Sequence, residues 1–68
     1  MNVWVREFDQ RCSNGIEYAV YTQGPYKAKF VRRTMSDNTE TTSTFKGETA
    51  FQAAERAFTE EVIKAVHG

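Results

Sequence analysis

Asn14-Gly15-Ile16-Glu17-Tyr18-Ala19-Val20-Tyr21-Thr22 is the stretch on which the fold turns. Asn-Gly most readily supplies the two positive-φ residues of a tight hairpin turn. The seven residues after it alternate, with Ile16, Tyr18 and Val20 on one face and Glu17, Ala19 and Tyr21 on the other, the period of a half-buried strand. The preceding strand is expected in Val3-Trp4-Val5-Arg6-Glu7-Phe8, which is rich in β-branched and aromatic residues and too short for a helix. Strict alternation there groups Val3 with Val5, and Trp4 with Arg6 and Phe8. Both faces then carry apolar groups, and the pattern leaves open which one turns inward.

Downstream, Pro25 removes a ladder donor and Gly24 relaxes the backbone, so Gln23-Gly24-Pro25 reads as a second reversal. A third strand from Tyr26 to Met35 places Tyr26, Ala28 and Phe30 on one face and Lys27, Lys29, Val31 and Arg33 on the other. Ser36-Asp37-Asn38 is a turn cluster, and Thr39 to Phe45 suits an exposed edge strand, with a Ser/Thr loop as the alternative. From Glu48 the period lengthens. At ~100° per residue, Phe51, Ala54, Phe58, Val62 and Ala65 fall on one stripe with Val66 beside it, while Gln52, Arg56, Thr59, Glu60 and Lys64 lie away from it.

A helix of about 19 residues is expected, capped by Gly47 or by the capping-box spacing Thr49-x-x-Gln52, with Glu60 and Lys64 spaced as an i,i+4 pair and His67 and Gly68 near its negative end. The fold class is α+β: a three- or four-stranded antiparallel meander with one C-terminal amphipathic helix on one face, a single domain over residues 1–68.

Charge is divided along the chain. Six of the nine basic residues (Arg6, Arg11, Lys27, Lys29, Arg32, Arg33) lie in the first half and six of the nine acidic residues in the second, so a formal net charge of zero hides two opposed halves. The apolar runs fall short of the ~20 residues of a membrane span, and the N-terminus lacks a signal peptide's basic-then-apolar layout. One cysteine, Cys12, cannot form an intramolecular disulfide. A cytosolic, soluble domain is the expectation.

Catalysis is not expected. Cys12 falls in a predicted loop and His67 at the chain end, Glu60 and Glu61 point about 100° apart on the helix, and the isolated glycines make no phosphate cradle. No cluster has metal-ligand spacing, so no metal or cofactor is expected either.

Binding is the remaining class. The first reading is a small non-enzymatic protein-binding module, an adaptor or inhibitor of a larger partner, in the size and style of accessory proteins of phages and mobile elements. Its surface would be the helix side carrying Glu55, Glu60, Glu61 and Ile63, or an exposed sheet edge. The alternative is a nucleic-acid-binding domain using Lys27, Lys29, Arg32 and Arg33 for phosphates and Tyr21 and Trp4 for bases. A pI near 6.6 weighs against a dedicated nucleic-acid-coating protein. Homodimerisation through the Thr-rich edge is a third expectation.

In layout alone, three strands followed by a helix resembles the arm-type DNA-binding domain of tyrosine recombinases, and Thr44-Phe45-Lys46-Gly47-Glu48-Thr49-Ala50 is loosely similar to its strand-to-helix junction. The layout also resembles the last two-thirds of a double-stranded-RNA-binding domain. That family carries lysines at the start of its last helix, where this chain has Glu48 and Thr49.

Overall fold

Strands β1 (Val5–Arg11), β2 (Ile16–Thr22), β3 (Lys27–Thr34) and β4 (Thr39–Lys46) pair in sequence order as one antiparallel sheet, and helix α1 (Ala50–His67) packs across one face. This computed structural model describes residues 3–67; of the residues read above, Met1, Asn2 and Gly68 lie outside that range. The Thr-rich segment is a strand and not a loop, paired with β3 from Thr34↔Thr39 to Lys27↔Lys46.

The first turn needs one left-handed residue instead of two. Gly15 has φ 84°, while Asn38 is the only non-glycine with positive φ among the described residues. Cys12 N–H donates to Ile16 C=O at 3.1 Å and Gly15 N–H to Cys12 C=O at 3.1 Å, a loop that ends on a left-handed glycine. Asn14 acts through its side chain: Oδ1 accepts the Ile16 N–H and Nδ2 donates to Tyr18 Oη, each at 3.1 Å.

Strand β1 begins two residues later than its composition suggests and continues to Arg11. Its register slips between Arg6 and Phe8, where Arg6 opposes Tyr21 and Phe8 opposes Val20. Glu7 is thus an extra residue, and this bulge turns Arg6 and Phe8 to opposite faces in place of the shared face that strict alternation gives them. Phe8 enters the core and Arg6 joins the uncovered side.

Under the helix, Phe30, Val20, Ala28 and Ala54 are wholly buried, with Tyr18 and Ala50 nearly so. The rings interlock: Phe8 and Phe58 meet edge-on at 4.9 Å between centroids, Phe30 and Phe58 at 6.3 Å, and Tyr18 stacks on Phe30 at 6.0 Å. The apolar stripe of the helix differs from the expected one only at its edge. Ala50 and Ala54 let the helix backbone approach the sheet, Ala57, Phe58, Val62 and Ala65 pack beside them, Phe51 sits at the rim, and Val66 is 64% exposed.

Thr49 C=O accepts the Ala53 N–H at 2.9 Å, so Thr49 occupies the N-cap position, and Gly47 (φ 102°) makes the reversal from β4 into α1. Glu60 reaches back to Arg56 at 3.5 Å, and not forward to Lys64.

Candidate functional site on the open face of the sheet

With the helix on one side, the face carrying Glu17, Ala19 and Tyr21 of β2 is left to solvent. Strand register sorts this face into rungs. At one end Arg11, Glu17, Arg33 and Glu40 alternate in charge across the four strands. The Glu17 carboxylate accepts from Arg33 at 2.6 Å and Arg11 at 3.1 Å, and its side chain is only 6% exposed. The hydrogen bond from Arg11, with that from Arg33, holds its pKa below the ordinary value although desolvation opposes this. That end is self-neutralised.

The middle rung, Asp9, Ala19, Val31 and Thr42, is a low floor. Ala19 and Val31 are buried here although no helix lies above them, and the rungs on either side carry longer side chains.

Beyond the floor lie Arg6, Tyr21, Lys29 and Thr44, and then Lys27 and Lys46, which oppose one another. The Lys29 ammonium stands 4.6 Å from the Trp4 ring centroid and 5.1 Å from that of Tyr21. The Arg6 guanidinium lies 5.2 Å over Tyr21 and donates to Tyr21 Oη at 2.6 Å and to Asp9 at 2.8 Å. The bonds to Asp9 and then Tyr21 raise the Arg6 pKa further above its usual value. Cation and ring faces in contact are worth roughly 0.5–1 kcal/mol each at exposed sites, enough to favour one arrangement of these four side chains.

Six cationic side chains and three carboxylates occupy this face. Arg11 and Arg33 are matched by Glu17 with Glu40 alongside, and Arg6 by Asp9. The surplus is therefore Lys27, Lys29 and Lys46, none of which is in an ion pair among the described residues.

Of the expected nucleic-acid residues, Trp4, Tyr21, Lys27 and Lys29 come together at this end. Arg33 shares the face but stands at the opposite end, held by Glu17. Arg32 is not on this face at all. It shares Phe30's side, where its Nε donates to Glu61 at 2.6 Å and its guanidinium covers the Phe30 ring at 4.6 Å. Sequence reading missed Lys46; its position follows from the β3–β4 register once Asp37 and Asn38 are taken as the turn, with Asn38 at φ 61°.

The expected acidic helix side is broken up. Glu61 is turned to the sheet by Arg32, Glu60 is engaged by Arg56, and Lys64 lies on the same helix. Glu55 and Ile63 remain exposed, Ile63 by 52%.

Elsewhere, Cys12 is buried in the core cluster while His67 ends the helix. A shallow depression of about 280 Å³ lies between Glu7, Thr22, Gly24, Pro25 and Phe51. No group of three or more His, Cys, Asp or Glu among the described residues is arranged to hold a metal ion. No described helix is long and apolar enough to cross a membrane. No protein-family model matches the chain, and neither the curated proteins nor the solved structures yield a match.

Proposed function

We propose that this chain is a small, non-enzymatic, cytosolic protein-binding module, an adaptor or inhibitor in the style of phage and mobile-element accessory proteins. Its working surface is the Trp4, Arg6, Tyr21, Lys27 and Lys29 end of the open sheet face, and its partner presents an acidic patch. The observation that carries this reading is the Lys29 ammonium wedged between the Trp4 and Tyr21 rings with Arg6 fixed beside them. Trp, Tyr and Arg are the residues that dominate protein–protein binding energy, and side chains held in place before binding lose little entropy on association.

The surface differs from a phosphate track. Its uncompensated charge spans one end of the face and is bounded by the alternating Arg11, Glu17, Arg33, Glu40 rung, which favours a partner of limited extent over a continuous polyanion.

The test is affinity capture from a native lysate. One protein should be retained, nuclease digestion should leave it bound, and Trp4→Ala or Lys29→Glu should weaken retention about tenfold or more, a loss of ~1.4 kcal/mol. Glu55→Gln and Ile63→Ala should leave it unchanged. Retention that survives Lys29→Glu, or that is lost with Ile63→Ala, overturns this surface.

Single-stranded nucleic acid is the second reading, favoured by the two rings beside three lysines that are in no ion pair among the described residues. Trp4 is the single tryptophan, so quenching of its fluorescence by an oligonucleotide distinguishes the two readings directly.

A further inference from the structure

The two edges of the sheet are built differently. β1 is interrupted by the Glu7 bulge and carries charge along most of its length (Arg6, Glu7, Asp9, Arg11), both of which protect an edge from pairing with another chain. β4 is eight residues long and pairs with β3 without a register shift. It is exposed except at Ser43 and Phe45, and between its only two charged residues, Glu40 and Lys46, lies Thr41-Thr42-Ser43-Thr44-Phe45. Gly47 N–H bonds back to Tyr26 C=O at 2.8 Å. By the alternation of an antiparallel ladder, Thr41, Ser43 and Phe45 turn their main-chain groups toward β3, and Glu40, Thr42, Thr44 and Lys46 turn theirs to the free edge.

We infer that the occupant of this edge is β4 of a second copy, antiparallel about a two-fold axis through Ser43. The charges select the occupant and its register. Glu40 and Lys46 are equidistant from Ser43, so this pairing sets each Glu40 opposite the second copy's Lys46, and it does so twice. Neither residue is in an ion pair within its own chain among the described residues. Thr42 faces the second copy's Thr44, and the four outward-facing residues of each strand exchange about eight main-chain hydrogen bonds in all. Because paired residues have the same parity, Glu40 and Lys46 stay on the open face, and Phe45, half-buried at the rim, gains cover from Thr41 of the second copy. The product is one continuous sheet with both helices on the same side. Lys27 and Lys29, one strand further in, remain available, so the inference stands independently of the proposed partner surface.

A contact of this size lies at the weak end of specific interfaces, with Kd of roughly 10–100 μM. Sedimentation velocity across roughly 5 μM to 1 mM should show a monomer–dimer equilibrium in that range. Lys46→Glu places like charges together at both ends and should weaken it about tenfold, and Glu40→Lys combined with Lys46→Glu should restore it. Thr42→Pro deletes an outward-facing N–H on an edge strand, where proline is tolerated, and should leave a monomer whose circular dichroism matches the parent. A parent chain that stays monomeric up to about 1 mM, or a dimer that Thr42→Pro leaves intact, overturns the edge pairing. Failure of the double charge swap to restore association overturns the Ser43-centred register.

Discussion

Glu17 is a carboxylate almost removed from water on a face that no helix covers, with Arg11 and Arg33 supplying its roof. Both guanidinium contacts depress its pKa in the folded state. Its contribution to stability is accordingly full above its ordinary value, near 4.5, and is lost as pH falls through the lower folded value. Thermal melts from pH 7 to 2 should show Glu17→Gln with a lower Tm than the parent at neutral pH and a shallower decline in acid, the two curves converging at the acid end. Phe58 makes the second case at this scale. Its ring bridges Phe8 and Phe30, and Phe58→Ala should cost about 2–4 kcal/mol, most of the stability of so small a domain, read as a large fall in denaturation midpoint. Alternation in the sequence already separates Arg32 from Lys29 and Arg33. Its partner Glu61 was not legible, because the distance between them depends on where the helix lands.

Among the elements, β2, β3 and α1 follow from period and turn chemistry, since each pattern has one dominant frequency and a clear break at either end. Thr39 to Phe45 has no apolar alternation, so its composition leaves strand and loop open and pairing with β3 settles it. β1 does not follow from period either. One inserted residue at Glu7 reverses the phase of the strand, and no local propensity marks that position; the pairing with β2 sets it. Of the expected helix stripe, Ala54, Phe58, Val62 and Ala65 do face the sheet, and only its edge shifts, since hydrophobicity ranks Phe51 above Ala50 whereas close approach to a flat sheet ranks them the other way. The junction at Gly47 depends on backbone freedom alone. A Cβ there would meet no atom within 4 Å, yet φ is 102°, so Gly47→Val should destabilise by about 1–3 kcal/mol through conformational strain, measured by urea titration with an unchanged m-value.

Across the whole molecule, the sequence's charge division becomes a spatial one, with surplus positive charge on the open face and surplus negative charge elsewhere. What the sequence could not assign was where on that face the surplus lies, because neutralisation by Glu17 and Asp9 depends on strand register. If an acidic protein is the partner, raising salt from 50 to 500 mM should slow association more than it speeds release, as for steered encounters, and Lys27→Gln should reduce that salt sensitivity. Stopped-flow mixing with the captured partner measures both.

Cys12 sits at the mouth of the first hairpin, a free thiol on a residue buried in the core cluster. A thiol reagent can therefore reach it only when that corner of the molecule breathes, and the chain carries a built-in clock for such openings. Labelling rates at rising denaturant would separate fraying of the hairpin mouth from global unfolding without any engineered reporter.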